Sequence, residues 1–237
     1  MKNLFTLFTC LIATLSLAQS PVGAWEWTET REDGQKVKGV VTFTENYQTA
    51  AWFDAETGAF VETNGGGWEL NGNTMTEMPE FNSSDTSRIG KPRSFEIEFD
   101  GNDKMRIVGM ETWATRVDAG EPGDLAGAWL MSGRKRNGEI QERDTSGPRK
   151  TMKILSGTRF QWIAYNTETK QFMGTGGGTY TTVDGKYTEN IEFFSRDDNR
   201  VGASLEFTYE LKDGKWNHSG KSSKGDPLYE VWSVREN

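Results

Sequence analysis

In "KYTENIEFF" (186–194) alternation puts Tyr187, Glu189, Ile191 and Phe193 on one face of a strand and Thr188, Asn190, Glu192 and Phe194 on the other. Glu189 therefore points where the ring and apolar side chains point. An earlier stretch repeats the arrangement, with Met75, Glu77, Pro79 and Phe81 on one side. A carboxylate on an inward face is costly unless it is paired or hydrogen-bonded. One reading makes Glu77 and Glu189 structural, accepting hydrogen bonds from a tyrosine, an arginine or the backbone. The other makes them the polar end of a ligand cavity, walled by Trp162, Tyr180, Tyr187 and Phe193 in the later half of the chain and by Trp52, Trp68 and Met75 in the earlier half. Mostly apolar pockets with a few placed polar groups are the usual form of small-molecule sites.

Little else in the chain suggests catalysis. The single cysteine is Cys10 and the single histidine is His218, so neither a thiol mechanism nor a histidine-rich metal site is expected, and no cofactor is implied. His218, in "KWNHSG", lies beside a predicted turn and reads as a surface residue. No Gly-x-Ser-x-Gly elbow or phosphate-binding Gly-Lys-Ser/Thr loop occurs. No second catalytic group accompanies Glu189 on its face, so a non-enzymatic protein is expected. With 27 Lys and Arg against 35 Asp and Glu, for a net charge of −8, the chain is poorly suited to nucleic acid. Its short basic run, Arg134-Lys135-Arg136 before Asn137-Gly138, reads as a hairpin tip.

These residues need elements to hold them, and the chain supplies them twice. "VGAWEW" (22–27) corresponds to "AGAWLM" (126–131), "WFDAETGAF" (52–60) to "WIAYNTETKQF" (162–172), and "GGGWELNGNTMTE" (65–77) to "GGGTYTTVDGKYTE" (176–189). "SFEIEF" (94–99) then matches "SLEFTY" (204–209), and "ETWATR" (111–116) matches "EVWSVR" (230–235). Five matches in the same order mark an internal duplication, with copies at residues 21–117 and 125–237. The polar "DAGEPGD" (118–124) reads as the linker between them. Residues 1–18 combine Lys2, an apolar run from Leu4 to Leu17 and small residues before Gln19, the pattern of a signal peptide; a secreted or periplasmic protein without a membrane span is expected. Within each copy, short alternating runs are separated by "NGN" (71–73), "DGK" (184–186) and "KDGK" (212–215), all hairpin turns. The expected fold is all-β, each copy being a small antiparallel up-and-down barrel or a two-layer sandwich. Closure removes exposed edges and favours the barrel, closed or partly open. The glycine triplets, with no lysine and no helix start behind them, read as places where a strand bends or lets another backbone approach.

Each copy opens on Gly-x-Trp (Gly23 to Trp25, Gly127 to Trp129) and ends on Trp-x-x-Arg (Trp113 to Arg116, Trp232 to Arg235). This resembles the lipocalin (calycin) pattern, and the second copy is similar to lipocalin-like domains of unknown function in exported bacterial proteins. The resemblance implies a barrel in which the arginine packs over the first-strand tryptophan, a cation–π contact of about 1–2 kcal/mol when desolvated. It also implies binding of a small, partly apolar ligand inside one or both barrels. An alternative is a carbohydrate-binding or surface-interaction module that uses Trp27 or Trp216 as exposed stacking platforms.

Overall fold

The computed structural model describes residues 19–121, 123–222 and 225–236; the expected signal peptide lies outside the described residues. The chain forms two eight-stranded antiparallel barrels in tandem. The first contains β1 (Gly23–Thr30), β2 (Lys36–Phe43), β3 (Tyr47–Asp54), β4 (Phe60–Asn71), β5 (Thr74–Asn82), β6 (Arg93–Asp100), β7 (Lys104–Ile107) and β8 (Ala114–Asp118), closed by the pairing of β1 with β8. The second contains β9 (Gly127–Arg136), β11 (Arg149–Leu155), β12 (Arg159–Asn166), β13 (Phe172–Val183), β14 (Lys186–Phe194), β15 (Ser204–Lys212), β16 (Lys215–Lys221) and β17 (Pro227–Val234), closed through β9 and β17. A short ninth strand, β10 (Glu139–Glu142), pairs with the far half of β9, so this hairpin stands up beside the barrel mouth. Its tip is Asn137-Gly138, with φ of 51° and 87° as a tight hairpin requires.

The ladders explain the glycine triplets. Gly65 and Gly66 face Phe81 and Pro79, and Gly177 and Gly178 face Phe193 and Ile191, so β5 and β14 each carry a bulge at Glu80 and Glu192. A Cβ at Gly66 would run into the Met78 carbonyl oxygen, and one at Gly178 into that of Asn190. Gly177 leaves room for the Phe160 carbonyl (2.6 Å) and the Phe193 ring (2.7 Å), as Gly65 does for Gln48 (2.5 Å) and Phe81 (2.7 Å). The two triplets are thus offset by one residue: Gly67 stands where the second barrel has Thr179, and Gly176 where the first has Asn64.

Each barrel has its own interior core, around Trp25, Phe43, Met75 and Ile97 in the first and around Trp129, Tyr187, Phe207 and Trp216 in the second. Side chains on the other face of β3, β5, β12 and β14 join the barrels. Phe53 stacks on Phe193 at 4.9 Å, and Tyr165 meets Phe81 at 4.9 Å in the mirrored position. Each ring pair contributes about 0.5–1.5 kcal/mol beyond the area it buries. Between them, Thr49 donates to Gln161 Oε1 (2.7 Å), and Gln161 Nε2 donates to Thr63 and Thr175 (both 2.9 Å). Thr49 and Gln161 hold the same place in β3 and β12, as Thr63 and Thr175 do in β4 and β13. The contact therefore has a pseudo-two-fold character.

The implied packing of arginine over tryptophan is corrected for the second barrel. In the first barrel Arg116 does lie over Trp25, 4.0 Å from the ring. Arg235 does not cover Trp129; it crosses to the first barrel, lying 3.9 Å over the Tyr47 ring and pairing with Glu80 at 2.5 Å. The closing tryptophans also differ, because Trp232 is buried while Trp113 precedes β8, half-exposed, with Arg106 over its ring at 4.3 Å. Trp129 is held instead by its own N–H, donated to the Leu125 carbonyl at 2.9 Å; Trp25 does the same to Pro21 at 2.8 Å.

Candidate ligand cavity in the second barrel

Alternation along β11 turns Thr151, Lys153 and Leu155 to the barrel interior and Met152 and Ile154 to the first barrel. Lys153 is only 5% exposed and pairs with Glu189, equally buried, at 2.6 Å. Tyr187 donates its hydroxyl to the same carboxylate oxygen at 2.8 Å. The ammonium also lies 4.9 Å from the Tyr187 ring, 5.0 Å from Trp216 and 5.2 Å from Trp232. A buried charge is tolerated when its partner and neighbours replace the lost water, and here a carboxylate and several aromatic faces do so. Burial and the adjacent Glu189 push the Tyr187 hydroxyl well above the usual phenol value, so it remains a donor.

His218 closes the floor. It is 2% exposed, stacked on Trp216 and edge-on to Phe207 at 4.1 Å, and is not the surface residue its turn-proximal sequence suggests. The two-residue turn ends at Lys215, and alternation carries both Trp216 and His218 inward. Burial, and secondarily the Lys153 charge, hold its pKa well below the ordinary histidine value. The imidazole is therefore neutral near pH 7, and neither of its nitrogens has a hydrogen-bond partner among the described residues; nor do the Trp216 and Trp232 indole N–H groups. Buried polar groups without partners are uncommon and call for a ligand, water or strain.

The sign of the histidine's pH effect follows. Its folded pKa is depressed, so stability is full above the unfolded value of about 6.5 and falls as pH drops from there towards the folded pKa, by up to about 1.4 kcal/mol per unit. His218→Phe is expected to flatten that part of the curve. Urea unfolding of both proteins at a mildly alkaline and a mildly acidic pH measures it; equal slopes would mean the ring charges freely in the fold.

Above the floor opens a cavity of about 880 Å³. Its walls include the half-exposed Met131, Trp162, Phe194, Leu205 and Leu228, with Ala164 between them. Gly176 leaves space for the Trp162 indole and for Phe194, each within 2.8 Å of where its Cβ would be. The mouth is ringed by Arg134, Arg136, Arg143, Arg149 and Arg196, with Glu142, Asp144 and Glu230 among them.

Of the residues expected at a site, Glu189, Tyr187 and Trp162 meet here. Tyr180 is inward but at the closed end, donating to the Ser156 carbonyl at 2.5 Å. Phe193 is not a cavity wall: the bulge at Glu192 interrupts the alternation, sends Phe193 into the contact between barrels and brings Phe194 inside. In the first barrel Glu77 accepts from Gln48 at 3.2 Å, and burial, opposed by Arg93, raises its pKa. Trp68 donates to the Thr44 carbonyl at 3.0 Å and packs with Trp52 and the buried Met75 in the interior core. Val41, Met105 and Ile107 occupy the places of Lys153, Trp216 and His218. The stacking platforms are also corrected: Trp216 is fully buried, and Trp27 turns inward, edge-on to Trp52 at 5.6 Å, over Gly39. The sequence reading misses Lys153, although aligning "VVTF" with "MKIL" exposes the Val-to-Lys difference, and it takes His218 for a surface residue and Trp232 for part of the closing motif. No group of three or more metal-ligating side chains occurs among the described residues.

No curated protein matches the chain. Residues 124–234, which take in all the strands of the second barrel, match a family described as a domain of unknown function (DUF4488).

Proposed function

We propose that the protein is an exported, non-enzymatic, lipocalin-like binding protein whose second barrel takes up a small, partly apolar ligand, with the first barrel as its structural partner. The open 880 Å³ cavity with apolar walls carries this reading. The His218 and Trp232 rings beside Lys153 would meet the inner end of the ligand, and Trp162, Phe194 and Leu205 its body. The first-barrel floor, with Val41, Met105 and Ile107 in the corresponding places, offers no comparable polar set. The leader-like residues 1–18 support export, and Arg116 over Trp25 supports the lipocalin-like reading. A Glu189 already engaged by Lys153 and Tyr187 supports binding without chemistry.

Ala164 faces the cavity, so Ala164→Phe should occupy it with little effect on the fold. Titrating the protein with fatty acids, sterols and pigments, with intrinsic tryptophan fluorescence as the signal, is expected to find a binder whose affinity drops about tenfold or more in Ala164→Phe. Binding unchanged by the plug would place the ligand elsewhere.

A further inference from the structure

We propose, on the reading that the second barrel is a binding cavity, that its ligand is an anionic amphiphile, with its apolar body against Trp162, Phe194 and Leu205 and its acidic group held by the arginines at the mouth. The charges inside the cavity and around its rim are unevenly satisfied. Lys153 is neutralised by Glu189 at 2.6 Å, and Arg134 by Glu230 at 2.5 Å. Arg136, Arg143, Arg149 and Arg196 line the same opening, and none has a carboxylate within 4.0 Å among the described residues. At the rim five arginines face three acids, Glu142, Asp144 and Glu230, an excess of two positive charges. The opening is thus a positive surface on a chain whose net charge is −8. Arg143 registers this field: partial burial, and then the nearness of Arg149 and Arg134, lower its pKa.

The same charges orient the ligand. An acid pushed to the floor would face Glu189, whose charge already balances Lys153, and would leave a second buried carboxylate without a cation. At the mouth it meets guanidinium groups that recognise planar oxyanions with paired N–H donors. The ring faces of Trp232, His218 and Phe207 on the floor then meet the uncharged inner end. A cleft of one sign with low-dielectric walls also concentrates ligands of the opposite sign.

A matched pair of fluorescent probes tests this in the full chain: 1-anilinonaphthalene-8-sulfonate and N-phenyl-1-naphthylamine, which share a ring system and differ in the sulfonate. The sulfonate is expected to bind about tenfold tighter or more. Its advantage should shrink severalfold as salt rises from about 50 to about 500 mM, without change for the neutral probe. Arg143→Gln with Arg149→Gln should erase the difference while leaving the neutral probe bound. Equal affinities, or a preference insensitive to both salt and the arginine changes, would overturn the anionic inference and leave the cavity reading standing. Failure of both probes to bind, or binding that survives Ala164→Phe, would instead sink the cavity reading itself. The salt series needs no variant, so a misfolded double mutant does not block the test.

Discussion

Replacing Lys153 by Met is expected to cost about 3–5 kcal/mol in equilibrium urea unfolding, because it leaves the Glu189 carboxylate buried without its cation. Lys153 and Glu189 are each 5% exposed, and the hydrogen bond from Tyr187 compensates the carboxylate only in part. The informative comparison is the triple variant Lys153→Met, Glu189→Leu, Tyr187→Phe. It removes the charges and the dependent hydroxyl together, and should recover most of the loss, since a buried pair replaced by apolar groups of similar size is often neutral. The first barrel already has Val41 at the lysine position. A single-variant cost below about 1 kcal/mol would refute the view that Glu189 depends on Lys153. Recovery of stability without recovery of ligand binding would separate what this polar centre does for the fold from what it does for the cavity.

The glycine at the β14 bulge should be nearly as sensitive. Gly178→Ala drives a Cβ into the Asn190 carbonyl oxygen, where backbone and not a flexible side chain must yield. A loss of about 3 kcal/mol or more, or failure to fold, is expected, at the upper end of overpacking costs. Gly66→Ala, against Met78 in the first barrel, should behave alike. The control lies one residue on: a Cβ at Gly67 meets nothing closer than the Asn46 carbonyl at 3.8 Å, so Gly67→Ala should change stability by less than about 1 kcal/mol. Melting curves of the three variants decide whether bulge geometry, and not glycine content as such, explains the triplets.

The strands, their hairpins and the doubling of the barrel were readable from the chain, because alternation and turn chemistry are local and each copy checked the other. The run "KYTENI" (186–191) states its inward face directly. What escaped reading came from departures from strict alternation or from distant geometry. The bulge at Glu192 reversed the facing of Phe193, and no periodicity rule places a bulge. The lipocalin-like Trp-x-x-Arg pattern implies that Arg235 caps its own barrel, yet its partners Tyr47 and Glu80 belong to the other copy. Lys153 sits in "TMKIL", whose neighbours Met152 and Ile154 serve the contact between barrels while Leu155 serves the interior, so the lysine was lost in an apolar run buried on both sides. His218 looked exposed because turns usually are, but it lies three residues beyond Lys215 on an inward-alternating strand.

The pseudo-two-fold contact between the barrels has a thermodynamic consequence. Thr49 meets Gln161 at equivalent positions, and the Phe53–Phe193 and Tyr165–Phe81 pairs mirror one another, so the joined faces are those of an isologous dimer whose partner is supplied by the same chain. Covalent linkage turns what would be a bimolecular association into an intramolecular one, governed by effective concentration. Dilution cannot separate these faces, whereas it would dissociate two unlinked copies joined through the same surface.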